Sequence, residues 1–517
     1  MTGGAGTGRS VDVDGGRAVT GDDRRYAAAP RAPVAWGGVL AVTAVHLALL
    51  LAVAGRYGYH RDELYFIEAG EHLAWGYVDQ PPFTPLVARA ARAVFGDSLV
   101  GLRLLPALTT AVTVAVAALV ARELGGGRRA QLLAAAAFAG SGFVLGAGHL
   151  LATATFDLAA WTVLIWLGAR MLRSDDPRWW VPFGLLTGAA VLNKHLVVML
   201  VAALVAGLAA DRRRRLLVSP WALAGAALAV AVAAPTLLWQ ARHGWPQMEM
   251  AGAISERIGG ENRALLLPGQ VVLLGPLLVP LFVAGARRLG WSPAGQAFRP
   301  VLWAWGAAVV LALVSGGRPY YPLPLAGAVV VAGAVAAETW TPPSRWRVAA
   351  VLVALNAVFV LPIALPLIPA GRLGDFPVAA VNETLAETVG WSELARQVAA
   401  QVERLPPGRR ADVVILTGSY GEAGALDLHG PDLGLPAPYS GHNSYWHWRR
   451  PRDDDAPVLA VRYPVASLRP WFEDCVIVDR VDNGLGVDNE VQGTPIVRCR
   501  RVKGRWDDVW PRLRHYT

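Results

Sequence analysis

The sequence predicts an α-helical polytopic membrane protein of about eleven transmembrane helices, followed by a small α/β domain outside the bilayer. Three observations predict it. Of 517 residues, 54% are hydrophobic and only 17% charged, with a mean hydropathy of +0.37, far too little polar surface for one soluble globule. Apolar runs long enough to span recur until residue 366 and then stop. From residue 367 on, 18 Lys and Arg face 20 Asp and Glu, so the net excess of +9 lies among the helices. There it is a topology signal, and no nucleic-acid partner is expected.

The chain divides into a leader at 1–34, a membrane domain at 35–366 and a tail domain at 367–517. The leader is rich in Gly, Arg and Asp without apolar periodicity and reads as disordered and cytoplasmic. The first apolar run, 35–54, has no cleavage site followed by a soluble domain and reads as a retained helix. Further spans are expected at 99–121, 130–148, 157–172, 178–193, 195–210, 219–239, 265–286, 300–315, 320–337 and 347–366. Arginine-bearing connections at 122–129, 170–178, 212–215, 287–288 and 345–347 fall at alternate loops. The positive-inside rule then makes the amino terminus cytoplasmic and the tail extracytoplasmic.

The opposite loops, 55–98, 149–156, 193–195, 240–264 and 315–321, hold Asp62-Glu63, Asp79, Asp157, Lys194 and Arg318. Ionisable side chains at the rim of apolar helices are costly, so a one-sided cluster reads as a polar reaction or binding site. In loop 55–98, Leu64, Ile67, Leu73 and Trp75, then Leu86, Val87, Ala90 and Val94, predict two short amphipathic helices along the membrane face. Between them Pro81-Pro82 enforces an extended turn that holds Asp79 in place; a solvated loop carboxylate is its plainer account.

Asp157, at the start of a span, suits the amino-terminal end of the helix dipole and equally an N-cap. Lys194 is one of two lysines in a chain with dozens of arginines, so a compact ammonium is wanted beside His195, unless it only snorkels toward headgroups. Arg318 offers a bidentate fork, while Tyr320 and Tyr321 are accounted for as well by an interfacial aromatic belt. His149 reads as a packing histidine. Glu256, Glu261 and Arg263 lie in the fourth outer loop, which is expected to cover a cavity.

His60-Arg61-Asp62-Glu63-Leu64-Tyr65-Phe66, Tyr77-Val78-Asp79-Gln80-Pro81-Pro82, Asp157 and Arg318-Pro319-Tyr320-Tyr321-Pro322-Leu323-Pro324 follow one another in this order. Together, over roughly 35–366, they closely resemble the polyprenol-phosphate-dependent glycosyltransferases of the GT-C fold, in the branch of protein O-mannosyltransferases and lipid A aminoarabinose transferases. The resemblance implies transfer of mannose or a similar hexose or pentose from a polyprenyl-phosphate-linked donor to a hydroxyl on the outer face of the cell membrane. It gives Asp62 the role of base, with Glu63 as its partner. It places Asp79, Asp157, Lys194, His195, Arg318, Tyr320 and Tyr321 around the donor sugar and phosphate. The acceptor is a protein, a lipid or a polysaccharide, and these residues do not choose among them.

In the tail, Leu385, Val389, Leu394 and Val398 predict an amphipathic helix over 382–404, and strand-like runs occur at 412–417, 458–461 and 475–481. The stretches 419–426 and 440–446 resemble segments of the outer domains of bacterial members of the same family. Glu422, His442, Asn443 and Trp446 there are candidates to contact the acceptor, and packing of the tail onto the membrane domain accounts for them equally. Cys475 and Cys499, the only cysteines, lie in the exported region, where a disulfide is permitted.

No Walker loop, His-Glu-x-x-His or Cys-x-x-Cys is present, so no cofactor is required by the sequence and divalent metal dependence stays open. A transporter or flippase for lipid-linked sugar would also use intramembrane charge, but no internal repeat supports it. A non-catalytic envelope assembly protein is the third alternative.

Overall fold

The computed structural model describes residues 31–376 and 381–516; the leader, except for its last residues, lies outside them. Apolar helices α1 (Trp36–Val53), α4 (Leu99–Glu123), α7 (Thr153–Ser174), α10 (Pro220–Arg242) and α15 (Ser344–Ala364) are each long enough to cross a membrane. Helix α13 (Arg299–Ser315), with the turn that leads into it, is the sixth such span. Val45, Val112, Leu223, Val230, Val314 and Val358 are exposed on them, as lipid-facing positions should be.

Two further pairs of helices are apolar and long enough together but are bent. Helices α5 (Arg128–Ala139) and α6 (Gly142–His149) meet at 58° across Gly140-Ser141. Helix α11 (Pro246–Leu274) turns 87° into the Pro276–Trp291 stretch that contains α12 (Val279–Trp291), at Gly275, whose φ of +110° only glycine adopts readily, and Pro276, which cannot donate a helical hydrogen bond. Helices α8 (Trp180–Val191), α9 (Val197–Ala209) and α14 (Leu323–Glu338) are apolar and short.

Among the described residues this gives six full-length spans, or eight with the bent pairs. The eleven apolar runs of the sequence all carry helix, and six of them are single helices long enough to cross a membrane by length and composition. The loop expected at 240–264 is corrected too: most of it is the first half of α11, whose polar Ser255, Arg257, Asn262 and Arg263 sit on a helix rather than in a connection.

The arginine connections gather at one end of the bundle. Arg31 and Arg170 both pair with the buried Glu123, Arg288 donates to Leu124 O, and Glu338 accepts from the backbone of Gly127 and Arg129. The opposite end carries α2 (Arg61–Glu71) and α3 (Phe83–Phe95), where the sequence places its two amphipathic helices. Residue His60 opens α2 with a capping box: its Nδ1 accepts from Asp62 N at 3.1 Å, and Glu63 Oε2 accepts from His60 N at 2.9 Å.

On α2 sits the carboxyl-terminal α/β domain. Its helix α16 (Trp391–Glu403) is preceded by Gly390, at φ +90°, which splits the single helix expected over 382–404. Five strands follow, β1 (Val414–Thr417), β2 (Tyr439–Ser440), β3 (Val458–Val461), β4 (Val476–Arg480) and β5 (Pro495–Cys499), in the order β2-β1-β3-β5-β4. Strands β2, β1 and β3 run parallel; β5 and β4 are antiparallel to their neighbours. Alternation sends Ile415, Leu459 and Ile496 to one core and Val414, Leu416, Val458 and Val497 to another, so both faces are buried. Cys475 and Cys499 are joined by a disulfide at the edge of β4 and β5.

Helix α17 (Tyr420–His429) packs directly on α2, and Gly424 permits the approach. A Cβ there would stand 2.8 Å from Leu64 Cβ. Gly424→Val is therefore expected to cost about 1–3 kcal/mol of domain docking, read as faster limited proteolysis between the helices and the sheet; an unchanged digestion pattern would contradict the packing.

Candidate active site

Asp62 is the second residue of α2, where the helix amino terminus favours an anion. Its Oδ1 accepts from the Tyr420 hydroxyl at 2.8 Å, and Arg61 Nε lies 3.8 Å away. Burial pushes its carboxyl up, but His60 when protonated, Arg61, the Tyr420 hydroxyl and Arg318 outweigh it and hold it below the usual range. Burial also lowers His60, whose Nδ1 already accepts from the backbone, so at neutral pH the arginines and Tyr420 carry the effect. Asp62 is thus a carboxylate, with 37% of its side chain exposed to a cavity.

That cavity, about 680 Å³, is lined by His60, Arg61, Asp62, Arg318 and residues of the 383–387 and 486–490 segments. A second lobe of about 270 Å³ shares Arg61, Arg318 and Glu490 with it and adds Arg257, Arg462, Tyr420, Tyr463, His442 and His515. Glu490, between the lobes, pairs with both Arg61 and Arg462. Four arginines against one glutamate give the smaller lobe an excess of positive charge.

Lys194 lies in a turn held by Asn193, whose side chain accepts from Thr84 at 2.9 Å and donates to Thr153 O at 2.8 Å. The Lys194 ammonium donates to the Tyr320 hydroxyl at 3.0 Å and lies over the Tyr320 and Tyr321 rings at 4.9 and 5.9 Å. Asp157 accepts from Trp161 Nε1 at 3.0 Å. It is not an N-cap: α7 begins at Thr153, a turn earlier than the sequence predicts, with Ala152 at the cap.

Asp79 accepts from the Tyr65 hydroxyl at 2.7 Å, and Ser444 joins this cluster by accepting from Val78 N at 3.1 Å. Burial pushes the Asp79 carboxyl up to about 7 against the Tyr65 hydrogen bond. An unfolded chain loses that proton near pH 4, so the stability contributed by neutral Asp79 is full below about 4 and is lost as pH rises toward about 7. In detergent melting curves Asp79→Asn should flatten the fall in Tm over this window; a fall identical to wild type would contradict the assignment.

Other sequence candidates sit elsewhere. Glu63 is fully buried: its carboxylate pairs with Arg103 at 2.7 and 2.9 Å and accepts from Leu151 N at 3.0 Å, away from the Asp62 cavity. Glu422, also fully buried, closes the capping box of α17 with Ser419 and pairs with Arg462 at 3.1 Å. Trp446 donates to Trp510 O at 3.0 Å, inside the domain. His442 stacks between Tyr420 and His515 and lines the smaller lobe. Asn443 is buried at φ +50°, and His195 lies in the Lys194 turn without lining either lobe. Arg103, Arg257, Tyr420, Arg462 and Glu490 escaped sequence reasoning. Among the described residues no group of three or more His, Cys, Asp or Glu is arranged to hold a metal ion.

A helical bundle with carboxylates and cations gathered at one end, beneath a docked α/β domain, defines the fold, which is that of the GT-C glycosyltransferases. Residues 79–239 match the family model described as dolichyl-phosphate-mannose-protein mannosyltransferase. The structure is similar to that of ArnT from Cupriavidus metallidurans bound to undecaprenyl phosphate, with a TM-score of 0.56 at 16% identity, covering 90% of this chain and 98% of that one. Against the apo state of ArnT the TM-score is 0.55 at 14% identity, with the same coverage. No curated protein sequence matches the chain.

Proposed function

We propose that this protein transfers a sugar, mannose or a similar hexose or pentose, from a polyprenyl-phosphate donor to a hydroxyl acceptor on the outer face of the cell membrane. The observation that carries the reading is the Asp62 carboxylate opening onto a cavity whose adjoining lobe is walled by Arg61, Arg257, Arg318 and Arg462. The family match at 79–239 and the undecaprenyl phosphate held by ArnT support a lipid-phosphate donor.

In this mechanism Asp62 takes the proton of the acceptor hydroxyl while that oxygen attacks the anomeric carbon. The bond from carbon to phosphate oxygen breaks, and the charge developing on the leaving phosphate meets Arg318 and Lys194, preset cations that need no reorganisation. One displacement inverts the anomeric centre. Tyr420 holds the Asp62 carboxylate in position through its hydroxyl. Asp157 and Asp79 stand as sugar-hydroxyl partners, with Tyr320 and Tyr321 fixing Lys194.

Arg318→Gln and Lys194→Met test the phosphate assignment. Each is expected to slow turnover of polyprenyl-phosphate-mannose about 100-fold, with unaltered expression and melting. Turnover within twofold of wild type in both variants would remove them from the leaving-group site.

A further inference from the structure

The two lobes that meet at Asp62 carry opposite charge. The smaller is walled by arginine. The larger presents Glu383, Glu387, Asp488 and Glu490 besides Asp62, against two arginines among the described residues, Arg61 and Arg318, both at the junction. Glu490 is taken up by Arg61 and Arg462; Glu383 and Asp488 have no ion-pair partner among the described residues.

Glu387 is the telling member. It is 5% exposed and lines the cavity, and its Oε1 accepts from Glu490 N at 2.9 Å while its Oε2 has no hydrogen-bond partner. A buried carboxylate oxygen left without a partner costs free energy, which a proton relieves in part, since burial pushes the Glu387 carboxyl up to about 7, and which a ligand donor relieves as well. The wall around it is built rather than loose. Asn489 Nδ2 donates to Ala386 O and Val389 O, both at 3.2 Å, and Asn483 Nδ2 donates to Val487 O at 2.6 Å. Gly374 lies so close beneath this loop that a Cβ would meet Leu485 O at 2.9 Å.

Resting on the glycosyltransferase reading, we infer that the larger lobe is the acceptor subsite and that it selects a neutral or amine-bearing carbohydrate, with Glu387 a positioning residue, and rejects phosphorylated or carboxylated acceptors. The donor phosphate is drawn to the arginine lobe, and an anionic acceptor would be repelled by the carboxylates it must pass. Opposed charge thus keeps each substrate on its own side of Asp62.

The test is binding by the full chain in nanodiscs of three oligosaccharides of equal length: a chitosan tetramer carrying amines, cellotetraose, and a tetragalacturonate. The inference expects the chitosan tetramer to bind most tightly and the galacturonate most weakly. Glu387→Gln, isosteric, and Asp488→Asn, on an exposed loop, should each shrink the ratio between the two by about tenfold. Equal affinities, no binding by any of the three, or a ratio unchanged in both variants would overturn it. Transfer from a polyprenyl-phosphate donor, measured separately on wild type, reports on the reading beneath. Charge ranking lost with transfer intact overturns this inference alone; transfer absent with the ranking intact overturns the glycosyltransferase reading.

Discussion

Replacing Arg103 by methionine is expected to destabilise the protein by about 3–5 kcal/mol, the cost of leaving one member of a buried ion pair unpaired. Arg103 and Glu63 expose 1% and 0% of their side chains. The guanidinium also donates at 2.8 Å to Ala54 O at the end of α1 and to Gly58 O before α2, while Glu63 takes Leu151 N just ahead of α7. One pair therefore ties two connections together, the one between α1 and α2 and the one before α7, under the helix that bears Asp62. Removing the guanidinium leaves a buried carboxylate without its counter-charge and takes a donor from two carbonyls. Glu63→Gln should cost less, because the amide still accepts from backbone N–H, and the double variant should lose less than the sum of the two. Detergent melting of the four proteins checks this. A loss under ~1 kcal/mol for Arg103→Met would mean that water reaches the pair.

Asp62→Asn is expected to lower transfer by about 10²–10⁴-fold, the usual worth of a positioned general base. The amide keeps the side chain's size and can still accept from Tyr420, so the fold and donor affinity should hold while kcat falls. Tyr420→Phe should give a smaller loss, because it removes a hydrogen bond to the base rather than the base itself. Glu63→Gln, by contrast, should keep kcat near wild type in whatever fraction remains folded. A kcat loss in Glu63→Gln equal to that of Asp62→Asn would return Glu63 to the chemistry.

Asp62 and Glu63 show what a linear sequence conceals. Adjacent carboxylates read as a pair sharing one site, yet successive residues on a helix point about 100° apart. The capping box turns Asp62 to the cavity and Glu63 to the core. Arg103 gave no signal because it sits between Leu102 and Leu104 in an apolar run, where one arginine near a helix end reads as an interfacial anchor. A structural role for Glu422 was legible in Ser419-Tyr420-Gly421-Glu422, a capping-box spacing ahead of a helix, while its bond to Arg462 was not.

Hydropathy and charge put Asp62, Asp79, Asp157, Lys194 and Arg318 in loops of one side; Asp62 and Arg318 line the cavity, whereas Asp79, Asp157 and Lys194 line neither lobe. Arg257 was hidden by the same reasoning: a polar stretch reads as a connection, and only the helix through 246–274 brings that guanidinium to the lobe shared with Arg318. Strand β5 was missed because Pro495-Ile496-Val497 is too short a run to read as a strand, and its pairing with β3 supplies what composition lacks.

The most direct measurement is transfer of labelled sugar from polyprenyl-phosphate-mannose, and from a small panel of other polyprenyl-phosphate sugars, in membranes carrying wild type or Asp62→Asn at matched abundance. Transfer from at least one donor by wild type, and its loss in Asp62→Asn, is the predicted result. Transfer by Asp62→Asn at the wild-type rate, or consumption of no donor by wild type, would contradict it.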